Sequence, residues 1–189
     1  MRIIGGLFKG QTLKAPRGIA TRPTSSQLRE AVFNICRHKV EEADVLDLFC
    51  GSGAIGIEAL SRGAKSAVFV DKDGHALLAL QENLQKFHLE ERVLRLDALV
   101  ALKKLAKEAC SFDIIYVDPP YEAEPKRAAF KGCQAAKILA YIDESTLLKP
   151  DGLLLIEEGG AFERQGALIS LHEESARTFG KSTLFRFLR

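Results

Sequence analysis

Four consecutive residues, Asp118-Pro119-Pro120-Tyr121, carry the most chemical information in this chain of 189 residues. They follow the apolar run 112–117, whose length and composition are typical of a buried strand. Two prolines cannot continue a central strand, so they end it in a rigid turn at the strand's carboxyl end, where open α/β sheets bind ligands. A carboxylate, carbonyls fixed by prolines and an aromatic ring suit a flat group with an exocyclic amine. We therefore predict Asp118, Pro119, Pro120 and Tyr121 as catalytic residues.

A glycine-rich turn upstream is a second candidate site. The segment 47–56 reads Asp-Leu-Phe-Cys-Gly-Ser-Gly-Ala-Ile-Gly, follows a predicted strand and opens a predicted helix. Its G-x-G-x-x-G spacing, with Asp71 beyond it, also fits the fingerprint of a dinucleotide-binding oxidoreductase. Asp47 argues against that alternative, because a carboxylate just before the glycines repels a pyrophosphate and attracts an ammonium group. The chain length also leaves little room for a separate substrate domain.

A cofactor with a cationic amino-acid end, a ribose and an adenine, S-adenosylmethionine, fits these residues better. The glycines allow the backbone to approach it closely, Asp47 takes its amino group, and Asp71 receives the ribose hydroxyls. Asp97 with Ala98 lies where the adenine amine would be. Each acid could instead cap a helix or face water, but three acids ending successive predicted strands, in line with Asp118, argue against chance. The predicted cofactor-binding residues are Asp47, Phe49, Cys50, Gly51, Ser52, Gly53, Asp71, Lys72, Asp97, Ala98 and Asp118.

The elements that must position these residues alternate along the chain. Strands are predicted at 45–49, 67–70, 93–96, 112–117 and 153–156, and helices at 54–61, 74–87, 98–107 and within 127–141. This alternation implies right-handed crossovers and a parallel sheet covered by helices on both faces. The stretches 169–171 and 182–188 are predicted as an antiparallel hairpin at the sheet edge. Residues 2–4 and 12–14 are predicted to pair as a small hairpin, and 24–37 to form a helix that begins with a capping box.

The charge of the chain is unevenly distributed. The net charge is +2, yet residues 1–40 hold eight lysines and arginines against one acid, and the remainder holds 19 bases against 24 acids. A basic arm on a mildly acidic body suggests a polyanionic partner, the alternative being a solvated basic face. We divide the chain into a basic N-terminal extension, 1–40, and a catalytic domain, 41–189.

Composition also limits the cellular compartment of the protein and the metal or redox chemistry that it can perform. The four cysteines have no metal-binding or redox spacing and the four histidines are scattered, so we predict no metal. The apolar runs are too short to cross a membrane, and the first residues lack the apolar stretch of a secretion signal. We expect a cytoplasmic protein with reduced thiols and no membrane partner.

These motifs resemble those of the class I, Rossmann-like methyltransferases. The glycine turn resembles their first motif, and Asp118-Pro119-Pro120-Tyr121 resembles the [DNS]-PP-[YF] motif of enzymes that methylate exocyclic amines. Residues 2–6, 9–10, 22–24 and 29–34 resemble the N-terminal signature of the bacterial small-subunit (16S) ribosomal RNA guanine-N(2)-methyltransferases. The resemblance extends essentially from end to end. Cys50 replaces a small residue that is often Ala, and Asp71 replaces a common Glu; both substitutions preserve the chemistry.

The resemblance implies an α/β fold with a seven-stranded, mostly parallel sheet, a C-terminal antiparallel hairpin and an N-terminal hairpin-helix extension. It implies methyl transfer from S-adenosylmethionine to the 2-amino group of one guanine in small-subunit ribosomal RNA, free or within an assembling 30S subunit, by a monomer. A DNA or RNA adenine exocyclic-amine methyltransferase remains an alternative, as does a non-catalytic nucleic-acid-binding module. Intrachain salt bridges are the alternative for Arg22 and Arg29. The predicted RNA contacts are Arg2, Lys9, Arg22, Thr24 and Arg29.

Overall fold

A single sheet orders the part of the chain that the computed structural model describes, residues 1–16, 26–120, 134–159 and 167–189. Its strands are β1 Asp44–Leu48, β2 Ser66–Asp71, β3 Arg92–Arg95, β4 Phe112–Val117, β5 Leu148–Glu158, β6 His172–Phe179 and β7 Ser182–Leu188. The helices are α1 Ser26–Ile35, α2 Ala54–Ser61, α3 Gly74–Lys86, α4 Ala98–Lys107 and α5 Gln134–Glu144. Within these ranges no helix combines the length and the hydrophobicity that a membrane crossing requires.

The strand order is β3-β2-β1-β4-β5-β7-β6, and only the pairings of β7 with its two neighbours are antiparallel. Successive residues of a strand point to opposite faces, so Val45 of β1 belongs to one hydrophobic core and Leu46 to the other. Helices α1, α2 and α3 cover the first face, and α4 and α5 cover the second. The predicted fold class, including the C-terminal antiparallel hairpin, is confirmed.

The N-terminal segment is part of the first core. Ile3 and Leu13 are each 2% exposed, and the predicted hairpin is present as paired backbone between residues 1–3 and 10–13. Polar side chains of α2 and α3 hold this segment. Glu58 accepts hydrogen bonds from the backbone N–H of Ile4 and Gly5, at 2.8 and 2.7 Å. The first turns of the chain are therefore fixed by the helix that follows the glycine turn.

Most predicted elements are present with small shifts of their ends, but one strand prediction was wrong. Residues 169–171 do not form a strand, because their backbone N–H groups all donate to the carboxylate of Asp143. The edge strand begins at His172 instead. Its residues are polar and mostly exposed, so they show no alternation of apolar side chains. Parts of two predicted helices, 24–25 and 127–133, lie outside the described residues.

Candidate functional site

Four carboxylates follow one another along the carboxyl edge of the sheet. The strand order β3-β2-β1-β4 places Asp97, Asp71, Asp47 and Asp118 in that spatial sequence. Leu48 pairs with Val70 on one side and with Val117 on the other, so Asp71 and Asp118 are each the next residue beyond a partner of Leu48. The sheet thus brings together acids that the sequence separates by as many as 71 positions. Between β1 and β4 the strand order reverses, which is the usual ligand position of open α/β sheets.

The turn after β1 is built from left-handed backbone. Phe49, Gly51 and Gly53 have φ of 60°, 54° and 81°, and for Phe49 this conformation costs energy that a fold retains mainly at functional sites. A β-carbon added at Gly51 would meet no atom within 4 Å, whereas one at Gly53 would come within 2.4 Å of a methyl carbon of Leu80. The backbone at Gly51 is consequently open to a ligand, and Gly53 is needed for packing.

Asp71 holds the open side of this turn. Its Oδ2 accepts a hydrogen bond from the Gly51 N–H at 2.9 Å, and its Oδ1 accepts one from the Asp73 N–H at the same distance. Carboxylate oxygens have further lone pairs, so these bonds fix the group and leave it able to accept hydroxyl donors. Asp97 accepts from the Leu99 N–H at 3.0 Å and caps α4, with Ala98 buried behind it.

Lys72 lies apart from the turn. It is exposed and, together with Asp73, His75 and Arg95, lines an open groove of about 620 Å³ between α3 and β3. The glycine turn does not line this groove. Lys72 therefore follows Asp71 in the chain, but it lines a groove that the glycine turn does not share.

Asp47 is the acid most altered by its surroundings. It is 2% exposed and its Oδ2 accepts from the Gly56 N–H at 2.9 Å. Burial raises the pKa of its carboxyl group to about 7, with a further contribution from the charge of Asp71 and an opposing one from the Gly56 hydrogen bond. Among the described residues no ion pair involves Asp47, so its buried carboxylate would gain by binding an ammonium group.

Cys50 and Ser52 complete the turn as buried residues. Burial, reinforced by the charges of Asp47 and Asp71, raises the pKa of the Cys50 thiol well above its usual value, so this thiol is unreactive. The carbonyl of Ser52 accepts a hydrogen bond from Asn83 of α3, a residue that the sequence did not single out. The sequence did contain a signal for Asn83, because its amide lies in the apolar stripe of α3, between Leu80 and Leu84.

Asp118 starts its motif directly beside the end of β1. Its backbone N–H lies 3.4 Å from the Leu48 carbonyl oxygen, and Pro119 is buried while Pro120 is exposed. Tyr121 lies outside the described residues. Beneath Asp118, the hydroxyl of Tyr116 donates to Glu157 Oε2 at 2.7 Å. Burial, with the neighbouring charges of Asp118 and Glu157, raises the pKa of Tyr116 well above its usual value, so its hydroxyl remains a donor.

The predicted RNA contacts fall into three groups. Arg2 and Lys9 are exposed on the N-terminal segment, as a phosphate contact requires. Arg22 and Thr24 lie outside the described residues. Arg29 is only 2% exposed, and its Nη1 lies 3.6 Å from Glu58 Oε2. This burial corrects the prediction for Arg29, because an enclosed guanidinium cannot reach an RNA backbone, and it favours the intrachain alternative.

The chain is similar to several known proteins over most of its length. Residues 1–188 match a family model described as Conserved hypothetical protein 95. YlbH of Bacillus subtilis (strain 168), whose name places it provisionally among the rRNA methyltransferases, is 37% identical over 182 residues, 95% of this chain and 94% of that protein. Ribosomal RNA small subunit methyltransferase D of Haemophilus influenzae is 31% identical over 160 residues, 83% of this chain and 78% of that protein. The solved structure of yhhF from Escherichia coli, provisionally named a methyltransferase, has a TM-score of 0.82 at 27% identity, covering 100% of this chain and 97% of that one.

Proposed function

Since this chain belongs to the family of S-adenosylmethionine-dependent small-subunit ribosomal RNA methyltransferases, we propose that it methylates the exocyclic 2-amino group of one guanine in that RNA. The substrate is the RNA itself or the RNA within an assembling 30S subunit, and the enzyme acts as a monomer in the bacterial cytoplasm. The finer parts of this proposal, the base and the atom, rest on the arrangement of the Asp118 motif and on the N-terminal signature.

The observation that carries the proposal is the contact between the Asp118 backbone and the end of β1. The Asp118 N–H lies 3.4 Å from the Leu48 carbonyl, and the left-handed turn begins at the next residue, Phe49. A cofactor on the glycine turn and an amine at Asp118 would therefore be held by adjacent strand ends. Placement of this kind accounts for a large part of the acceleration in transfer reactions.

The residues of the turn fit S-adenosylmethionine, the cofactor of this family. Gly51 has free space where a side chain would stand, buried Asp47 provides a carboxylate for an ammonium group, and Asp71 provides lone pairs for ribose hydroxyls. We assign Asp97 and Ala98 to the adenine end, and Phe49, Cys50, Ser52 and Gly53 to the walls around the cofactor; Lys72 receives no role, because it lines the separate groove between α3 and β3. When bound, the cofactor supplies an electrophilic methyl group that needs no further activation.

The acceptor side must make an amine nucleophilic although its lone pair is delocalised into the base. Asp118 and the Pro119 carbonyl accept hydrogen bonds from the two N–H groups of the amine. These hydrogen bonds favour a tetrahedral nitrogen and stabilise the positive charge that develops on it. A carboxylate is a much weaker base than the deprotonation of a neutral amine requires. Asp118 therefore polarises the amine first and takes its proton during or after transfer. We assign Tyr121 to stacking on the base, which must be flipped out of any helix to reach this edge.

We assign contacts with the RNA backbone to the basic extension, 1–40. Exposed Arg2 and Lys9, with Arg22 and Thr24, would contact phosphates, which position the RNA without reading its sequence. Glu58 and Asn83 support this assignment because they fasten residues 4–5 and 14 of the extension to helices that border the glycine turn. The extension and the cofactor turn are thus parts of one packed unit.

The test is methyl transfer from labelled S-adenosylmethionine to small ribosomal subunits, naked small-subunit RNA and duplex DNA, followed by mass spectrometry of the nucleosides. We expect label in the ribosomal substrates as N2-methylguanosine. Label in N6-methyladenosine, or in DNA alone, would contradict the proposed base and substrate. A comparison of RNA from cells with and without the gene then locates the modified nucleotide.

A further inference from the structure

Arg29 of α1 is a buried cation whose hydrogen-bonding groups are incompletely used. The residue is 2% exposed, and its Nε and Nη1 atoms have no hydrogen-bond partner among the residues that the structure describes. Its nearest anion is Glu58, at 3.6 Å from Nη1, which is beyond hydrogen-bond reach. Buried guanidinium donors normally find acceptors, so an exception of this kind calls for a physical explanation.

Glu58 does not form a hydrogen bond with Arg29 at this distance, and its carboxylate is shared with other donors. Its oxygens accept from the N–H groups of Ile4 and Gly5, and Oε1 also accepts from Arg62 Nε at 2.9 Å. One fully buried carboxylate therefore serves two guanidinium groups. A buried charge without a full partner is costly, so an anion that reached the free donors of Arg29 would be bound favourably.

The position of Arg29 indicates where that anion comes from. Residues 36–43 connect the C-terminal end of α1 to the amino end of β1, from which we infer that the first turn of α1 lies towards the carboxyl edge of the sheet. Helical side chains lean towards the N-terminus of their helix, which directs Arg29 to the same edge. Leu28, Val32 and Phe33 of α1 pack in the same hydrophobic core as Tyr116, which pairs with Asp47 across the two strands.

We propose that Arg29 binds the α-carboxylate of S-adenosylmethionine. The amino-acid end of the cofactor carries one ammonium and one carboxylate group, and Asp47 and Arg29 are a buried acid and a buried base on the face of the sheet next to the glycine turn. Guanidinium and carboxylate form charge-assisted, often bidentate hydrogen bonds that would fill the free Nε and Nη1 donors. The inference rests on the cofactor of the proposed function and not on the base that is methylated.

The test compares two ligands that differ only in this carboxylate, S-adenosylmethionine and decarboxylated S-adenosylmethionine, by calorimetry without RNA. The wild-type protein is expected to bind the carboxylated ligand at least about tenfold more tightly. In Arg29→Met the two dissociation constants should become nearly equal, mainly through loss of affinity for the carboxylated ligand. Arg62→Met, which removes the other guanidinium at Glu58, should keep the wild-type ratio.

Several outcomes would overturn the inference. Equal binding of both ligands by the wild-type protein would leave the cofactor assignment intact and remove the role of Arg29. An unchanged ratio in Arg29→Met, or a loss of affinity for RNA alone, would show that Arg29 acts elsewhere. If Arg29→Met does not fold, the two dissociation constants are measured in Arg29→Lys, which keeps the charge but loses the forked set of donors. A ratio of dissociation constants equal to that of the wild type would then contradict the inference. Failure of the wild type to bind either ligand would instead reject the cofactor itself.

Discussion

The side-chain amide of Asn83 donates a hydrogen bond to the Ser52 carbonyl at 3.0 Å and ties helix α3 to the glycine turn. The same amide donates to the Lys14 carbonyl at 3.0 Å, and its oxygen accepts from the Lys14 N–H at 2.8 Å. Asn83 is fully buried; its hydrogen bond to Ser52 is buried, and its two hydrogen bonds to the Lys14 backbone are partly buried. One side chain thus couples the N-terminal extension to the predicted cofactor turn.

Replacing Asn83 by Leu should lower the free energy of unfolding by about 3 kcal/mol, because buried backbone groups lose their partners. It should also weaken cofactor binding, since the Ser52 carbonyl is no longer held. Urea unfolding and calorimetry measure the two effects. Gln85→Leu makes the same kind of change at an exposed position of α3 and should alter stability by no more than about 0.5 kcal/mol. Equal effects of the two substitutions would refute the role of Asn83.

Asp118 is expected to act on the amine and not on the cofactor. Asp118→Ala should reduce the rate of methyl transfer by a factor of about 100 to 1000, with the dissociation constant of S-adenosylmethionine nearly unchanged. Asp118→Asn keeps a carbonyl acceptor for one N–H and should retain more activity than Asp118→Ala. Single-turnover rates and calorimetry on the same preparations separate the two steps. A collapse of cofactor affinity in both variants would assign Asp118 a structural role.

The buried carboxyl of Asp47 predicts a pH dependence. Its pKa is raised to about 7, above the unfolded value of about 4, so the folded state favours the protonated form. This contribution to stability is full below about pH 4 and is lost as the pH rises through 7. An ammonium ligand requires the charged form, so affinity for S-adenosylmethionine should rise between pH 5.5 and 7.5 as measured by calorimetry. Asp47→Asn should bind weakly without this rise; an unchanged pH profile in that variant would contradict the pairing.

Two glycines of the turn region should respond differently to a methyl group. At Gly51 the added carbon would meet open space, so Gly51→Ala should fold with a loss of about 1 kcal/mol from its left-handed backbone but bind the cofactor at least about tenfold more weakly. At Gly56 the carbon would come within 2.3 Å of the Phe69 ring. Gly56→Ala should therefore lose about 1 to 3 kcal/mol of stability through overpacking, partly offset by better helix propensity. Thermal unfolding and ligand binding should separate the two variants, and a reversed pattern would contradict the assignment of Gly51.

The exposed bases of the extension predict the salt dependence of RNA binding. Arg2→Glu and Lys9→Glu should each weaken binding and reduce the slope of log affinity against log salt by about 1, if the residue contacts a phosphate. The control is Lys104→Glu on the opposite face of the sheet, where Lys104 pairs with Glu108. Filter binding at several salt concentrations measures the slopes. Slopes that match the wild type in both extension variants would exclude this surface from RNA contact.

The sequence by itself determined the strands, the helices and the acids that end the strands. Apolar periodicity and the turn chemistry of glycine and proline are local, so β4 and α2 have the predicted ends, and Asp71 and Asp118 lie where their strands stop. The edge strand β6 escaped prediction because its partner β7, and not an apolar pattern, makes it a strand. The strand starts at His172 because the N–H of the preceding residue, Leu171, donates to the carboxylate of Asp143, a residue far away in the chain.

Only the tertiary structure decided how charged and polar residues are used. Arg29, which the sequence indicates as an exposed base, is buried in the fold beside Glu58 of α2. The raised pKa of Asp47 and the bridging role of Asn83 likewise depend on neighbours from other elements. Desolvation and the satisfaction of hydrogen-bonding groups are properties of the packed fold, because they depend on which residues, distant in the chain, come into contact. Periodicity depends only on residues that are neighbours in the chain.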